Sequence, residues 1–200
     1  MIYLIRHGRT ALNAARRLQG RLDEPLSDVG REQALRASEW FRAHGVRFDR
    51  AFSSPLCRAY ETARILCGEG TPILADERLM ELDCGPWEGA DLLAPAPELA
   101  VFLRNPALSP PPEGMEPLSR VIERTGAFLR DLKKELSAEE TVLIATHAIA
   151  LKGVIENLAP RPDGGWWNHS VPNCRGFVFA LRGGEFTSPE EFDYTEEETT

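Results

Sequence analysis

Two histidines, each set directly behind a short apolar run, carry the most specific chemistry in this sequence. His7 follows Tyr3-Leu4-Ile5, with Arg6 before it and Gly8 after it, and His147 follows Val142-Leu143-Ile144-Ala145-Thr146. Ser53-Ser54-Pro55 leads to Arg58, and Glu81 stands just ahead of the turn-rich run Asp83-Cys84-Gly85-Pro86-Trp87-Glu88-Gly89. Guanidinium forks match phosphoryl oxygens bidentately, and helix starts add backbone donors, so this inventory suits a phosphate better than a metal or a carbonyl. A metal site would want more carboxylates or cysteines and fewer arginines. A neutral imidazole nitrogen can attack phosphorus directly, forming a phosphohistidine and splitting one hard displacement into two easier ones. In that chemistry His7 is the nucleophile, while Arg6, Arg58 and His147 hold the equatorial oxygens and stabilise the in-line transition state. Glu81 protonates the leaving oxygen and later takes a proton from water. Because it must carry a proton at the first step, a mildly acidic optimum is expected.

The elements that must position these groups are legible around them. The apolar runs are short and bounded by polar or glycine punctuation, and each reads as a buried strand of a mostly parallel sheet, beyond whose carboxyl ends ligands gather. Residues 8–26 read as a ligand loop with at most a short helical turn. Ser27 caps a helix to about Arg42, a strand lies within Phe48 to Ser53, and a second helix follows with Pro55 suited to its first position. A strand is expected around Ile73, an irregular helical cap over 90–103, and a proline-rich loop over 105–114. Leu118, Val121, Ile122, Thr125, Leu129, Leu132 and Leu136 mark the clearest amphipathic helix. A helix over 148–158 and a last strand over 176–180 complete the pattern. The expected fold is therefore α/β, one domain over 1–186 with a cap segment at about 88–115, followed by an acidic, mobile tail at 187–200.

With 200 residues, 42% hydrophobic content and net charge -8, the chain can build one substantial core. The acidic balance argues against nucleic-acid or membrane-surface partners. Yet residues 1–22 hold Arg6, Arg9, Arg16, Arg17 and Arg21 and no acid, so an anionic small molecule can find a basic pocket on an acidic protein. Cys57, Cys67, Cys84 and Cys174 have neither zinc spacing nor the density of a disulfide scaffold, which points to a reduced, cytoplasmic protein. Arg6 interrupts the first apolar run, so neither a signal peptide nor a membrane span is expected there. His44 and the cysteines carry no functional assignment. Trp166 and Trp167, with His169, either line the pocket rim or pack beneath a loop.

Several motifs in order resemble the histidine phosphatase superfamily, in its phosphoglycerate-mutase-like branch. Arg6-His7-Gly8-Arg9-Thr10 with Asn13, Gln19-Gly20, Pro25-Leu26-Ser27 and Gly30 is similar to the family's opening. Ser53 through Ala63 resembles its second signature, Leu79-Met80-Glu81-Leu82 with Gly85 to Gly89 its acid-bearing segment, and Thr146-His147-Ala148 its last. The resemblance spans roughly residues 2–158. It implies a three-layer α/β/α sandwich, no metal or organic cofactor, and a phosphohistidine at His7. It implies phosphoryl binding by Arg6, Arg58 and His147, assisted by Asn13, Gln19 and the backbone of Ala148; Gly20 and Arg9, next to these groups in the chain, are placed on the substrate side. Glu81 would be the acid and base. Arg9 stands where many members carry glutamate, Ala148 where glycine is frequent, and Gly114-Met115-Glu116 replaces a common Gly-Glu-Ser.

The implied substrate is a small phosphate monoester, such as α-ribazole phosphate, a phosphoglycerate derivative, phosphoserine or a sugar phosphate. Superfamily members are often dimers, so a homodimer is compatible with the resemblance. A phosphoglycerate mutase is the nearest rival reading, but across residues 88–119 only Arg104 is basic, whereas the related mutases carry more substrate-gripping cations there. A non-catalytic phospho-ligand sensor needs neither His7 nor Glu81, and a protein phosphohistidine phosphatase would lack the cap segment.

Overall fold

A computed structural model describes residues 1–137, 139–162, 164–192 and 194. The chain runs β1 (Ile2–Arg6), α1 (Ala11–Ala14), α2 (Asp28–Ala43), β2 (Arg50–Ser53), α3 (Cys57–Cys67) and β3 (Ile73–Ala75). Two 3-10 turns follow at Glu77–Leu79 and Gly85–Trp87, and then α4 (Pro97–Arg104), α5 (Leu118–Glu135), β4 (Val142–Thr146), α6 (Ala148–Leu158) and α7 (Gly165–Asn168). The end of the described chain holds β5 (Gly176–Phe179), β6 (Leu181–Arg182), β7 (Glu185–Phe186) and β8 (Glu190–Phe192). The main sheet has the order β3-β2-β4-β1-β5-β8, with β6 and β7 forming a separate hairpin. The pairs β1–β4, β2–β4 and β2–β3 are parallel, whereas β5 runs antiparallel to β1 and to β8.

Strand alternation builds the three layers, because successive side chains point to opposite faces. Ile2, Leu4, Val142 and Ile144 pack with Phe128, Leu129 and Leu132 of α5 and Leu151, Val154 and Ile155 of α6. On the other face, Ile5, Leu143 and Ala145 meet Ala37 and Phe41 of α2 and Ala63 and Leu66 of α3. A third cluster forms the cap, where Leu99 and Phe102 of α4 pack on Leu82, Cys84, Met115 and Trp167. The irregular cap expected from the sequence thus contains one regular helix with Pro97 in its first turn.

Two boundaries differ from the sequence reading. The helix expected to begin at Pro55 begins at Cys57, whose N–H is taken by Asp23 Oδ1 at 2.7 Å, a cap from 34 residues away that local pattern cannot show. The domain does not stop at 186, since β8 pairs with β5 inside the expected tail. Its anchor is Phe192, which stacks on Phe41 with ring centroids 5.1 Å apart. The expected mobility of the acidic end falls largely on residues 195–200, which lie outside the described residues. Trp166 and Trp167 are both buried, the first in the main core beneath the Arg161 guanidinium and the second in the cap core, so they pack rather than line a rim. Among the described residues no helix is long and apolar enough to cross a membrane.

Candidate active site

Sheet register brings the two histidines together. Arg6 pairs with Thr146 at the carboxyl ends of adjacent parallel strands, and His7 N donates to Thr146 O at 2.9 Å. The His7 and His147 rings therefore lie with centroids 5.0 Å apart, tilted by 60°. Next to β4, β2 ends where Ser54 N donates to Ala145 O, which starts the turn into α3 and its Arg58. His7, Arg58, Glu81 and His147 are all buried.

Hydrogen bonding fixes both imidazole tautomers. His7 Nδ1 sits 2.6 Å from Gly8 O, and a carbonyl only accepts, so Nδ1 carries the proton and Nε2 keeps its lone pair. Arg58 Nε can only donate, and it lies 3.2 Å from His147 Nδ1, so His147 carries its proton on Nε2. That Nε2–H, with Arg6 Nε and Gln19 Nε2, is among the buried donors without a partner among the described residues. Buried polar groups are normally paired, so three orphan donors on residues of one site mark a place for an acceptor-rich ligand.

Each predicted residue has a defined place. Arg6 Nη1 donates to Val171 O at 2.6 Å, leaving its Nε free. Arg58 donates from Nη1 to Leu22 O at 2.8 Å and from Nη2 to Gly20 O at 2.6 Å, which folds the 18–22 loop over it. Asn13 Nδ2 and Thr10 Oγ1 both donate to Gln19 Oε1, aiming the Gln19 amide nitrogen away from them. Gly20 has both backbone groups engaged, its N–H by Glu88 Oε2, and a Cβ there would fall 2.4 Å from Leu82 O. Ala148 opens α6. Arg9 is exposed, and its recorded bonds are through its backbone, to Gln33 and Ser27. None ties its guanidinium to the cluster among the described residues.

The three acids near position 81 separate by partner. Glu81 docks on the first turn of α6, accepting from Ile149 N at 3.1 Å and Ala150 N at 3.0 Å, where the helix dipole favours a carboxylate. Glu88 accepts instead from the amides of Gly20 and Leu22, and Asp83 from Gly85 N. Glu81 is also the acid felt by both Arg6 and Arg58, whose pKa values burial lowers and Glu81 partly restores. Among the described residues no group of three or more His, Cys, Asp or Glu side chains could hold a metal ion.

Supporting residues went unseen in the sequence. Thr62 Oγ1 accepts from Gly8 N at 3.0 Å, which holds the residue after His7. Asn173, from the segment before β5, donates to His7 O at 2.9 Å and to Asn13 Oδ1 at 3.2 Å. Arg124 on α5 donates to the Met80 and Glu81 carbonyls and pairs with Glu116 at 3.0 Å. Glu116 in turn accepts from Asp83 N, so it braces the acid-bearing segment from behind. Two of them had a signal: Thr62, four residues beyond Arg58 on one helix face, and Glu116, which stands in the altered Gly114-Met115-Glu116 motif.

Both histidines have pKa values well below the ordinary histidine value. Burial is the main cause for each; Arg6 and then Arg58 add to it at His7, and Arg58, His7 and Arg6 at His147. The native state therefore binds fewer protons than the unfolded chain once pH falls below about 6.5, the unfolded value. Their contribution is fully present above that pH and is lost on acidification, at up to about 1.4 kcal/mol per pH unit for each histidine. Urea midpoints between pH 7 and 5 should fall accordingly, and His147→Asn should lose about one proton of that dependence. Equal slopes in the two proteins would contradict this account.

A buried imidazole lone pair, unpartnered donors and two guanidiniums at the strand ends of an α/β/α sandwich have the chemistry to take a phosphoryl group. The chain belongs to the histidine phosphatase superfamily, branch 1, whose family model matches residues 2–191. The Yersinia pestis protein named probable phosphoglycerate mutase GpmB is 34% identical over 180 residues, covering 86% of this chain and 81% of that protein. Among solved structures, Bacillus stearothermophilus YhfR is 30% identical with a TM-score of 0.84, covering 96% of this chain and 98% of that one. A mycobacterial glucosyl-3-phosphoglycerate phosphatase is 27% identical at a TM-score of 0.82, covering 94% and 96%.

Proposed function

We propose that this chain is a phosphatase that hydrolyses a small phosphate monoester through a phosphohistidine at His7. The observation that carries this reading is the pairing of a free Nε2 lone pair on His7 with unpartnered buried donors on Arg6, Gln19 and His147. Nε2 attacks phosphorus in line, the ester P–O bond breaks, and Glu81 delivers a proton to the departing oxygen. Water then attacks the phosphorus of phospho-His7, its proton passes to Glu81, and the P–N electron pair returns to Nε2. Arg6, Arg58, Gln19 and His147 hold the phosphoryl oxygens throughout, so that position and charge supply most of the acceleration. The cationic lining suits a phosphate dianion and opposes a divalent cation, so we propose a metal-independent reaction. Four free thiols suit a reducing compartment, and we place the enzyme in the cytoplasm.

The depressed histidine values keep His7 nucleophilic in mild acid, where Glu81 must also carry its first proton, so activity should peak there. The reading is tested by a panel of metabolite phosphates assayed in chelator, with acid and alkaline quenches to trap an acid-labile phosphoenzyme. Metal-dependent turnover, or rates that stay flat well above about pH 8, would count against it. A mutase is the second reading, favoured by the name of the Yersinia relative. Robust isomerisation of 3-phosphoglycerate that depends on a bisphosphate primer would replace the phosphatase reading. Against it, Arg104, the one basic residue between 88 and 119, lies exposed on α4.

A further inference from the structure

Asn173 joins the nucleophile's strand to the 8–26 loop through a chain of side-chain amides, and its partners fix the direction of each one. Its Nδ2 donates to His7 O at 2.9 Å, and a carbonyl only accepts, so the Asn173 amide nitrogen must face β1. The same Nδ2 donates to Asn13 Oδ1 at 3.2 Å, and the Thr10 backbone N–H, also a pure donor, reaches Asn13 Oδ1 at 3.3 Å. Asn13 therefore turns its Nδ2 to Gln19 Oε1, at 3.3 Å, where the Thr10 hydroxyl also donates at 2.7 Å. What remains is Gln19 Nε2, a buried donor with no partner among the described residues. Run in the opposite direction, the same chain would end on Gln19 Oε1, an acceptor that repels phosphoryl oxygens.

The turn that carries Asn173 is itself held. Arg175 N donates to Pro172 O at 3.3 Å, and within this turn Cys174 takes the left-handed conformation at φ 59°. A non-glycine residue keeps that conformation only where its surroundings over-determine it, and Cys174 is fully buried with its N–H on Arg6 O at 3.0 Å. Asn173 thus reaches the site from a fixed support.

We propose that Asn173 is a positioning residue that acts through Asn13 and Gln19, setting the direction of their amides so that Gln19 offers a donor to the phosphoryl group. This role rests on the phosphoryl-site reading above and needs no particular leaving group. Both hydrogens of the Asn173 Nδ2 are in use, one on each partner, so one side chain registers the Gln19 donor against the His7 backbone.

Calorimetric titration with inorganic phosphate reads this role apart from the nucleophile. Gln19→Ala should weaken phosphate binding about tenfold or more, the loss of one donor to a charged ligand. Asn173→Leu, close in volume and without a donor, should weaken it about fivefold when Gln19 is present, but less than about twofold in the Gln19→Ala background. A merely structural Asn173 would cost the same factor in both backgrounds, and equal factors would overturn the proposal. So would unchanged phosphate affinity in Asn173→Leu. A second variant, Asn173→Asp, keeps the shape but sets an acceptor against His7 O and Asn13 Oδ1, which favours the reversed chain. It should bind phosphate more weakly than Asn173→Leu, and binding as tight or tighter would also overturn the proposal. If wild type binds no phosphate at all, the failure belongs to the phosphoryl-site reading and takes this role with it.

Discussion

His7→Ala is expected to reduce turnover of an aryl phosphate on the order of 10⁴-fold or more, and to leave no acid-labile phosphoenzyme. The ring is held by its own neighbour, Nδ1 donating to Gly8 O, and Gly8 is held by Thr62, so the lone pair on Nε2 is aimed before any ligand arrives. Such preorganisation is what converts a weak nucleophile into an effective one. The variant keeps Arg6, Arg58, Gln19 and His147, and with them the donors that a phosphate or vanadate ion would occupy. Calorimetric titration should therefore still find inorganic phosphate or vanadate binding after activity is lost, and that split distinguishes a missing nucleophile from a collapsed site. Loss of binding together with activity would place His7 in the architecture instead. Equal turnover by wild type and variant would remove the enzyme reading and leave a phospho-ligand sensor.

What could be read from the sequence is what lies within a few residues of a strand end. Arg6-His7 and Thr146-His147 follow apolar runs that can only be buried strands, and parallel register then forces their histidines together. The long helix α5 declares itself by period, and the Ser27 cap by residue type, with Ser27 Oγ accepting from Gly30 N. The parts that were hidden depend on distant partners. Asn173 reaches His7 and Asn13 across more than 150 residues, and Asp23 starts α3 from inside a loop. Glu88 shows the same limit: it is a carboxylate in the same turn-rich stretch as Glu81, and only the fold gives it the amides of the 20–22 loop. The edge strand β8 was masked by its own chemistry, since Glu190 and Glu191 are exposed on a sheet edge and only Phe192 is buried. Arg9 was drawn into the candidate site by adjacency to His7, yet backbone alternation and the close approach of Gly8 and Gly30 leave it on the surface.

Arg58→Ala is expected to lower kcat by about 10³- to 10⁵-fold, the range for removing an arginine that stabilises a transferring phosphoryl group. The loss has two sources. The direct one is charge and donors at the transition state, and the indirect one is His147, whose tautomer depends on Arg58 Nε. Without that donor, His147 can move its proton to Nδ1 and turn a lone pair toward the phosphoryl oxygens, converting a donor into a repulsive acceptor. Stability should fall as well, because the Gly20 and Leu22 carbonyls lose buried partners at about 1–3 kcal/mol each. Arg58→Lys separates the sources: it restores a charge, but a single ammonium cannot reach His147 and two carbonyls with the geometry of the planar fork. It should therefore recover part of the stability while leaving most of the kcat defect. Nitrogen-15 spectra of the histidines supply the independent readout, with His147 expected to change tautomer in both variants. The Arg58 charge also helps depress both histidines, so in Arg58→Ala their pKa values should rise toward the ordinary value and the acid-linked loss of stability should shrink. A variant with wild-type kcat within about tenfold, or an unchanged His147 tautomer, would show that the guanidinium serves the 18–22 loop and not the reacting phosphate.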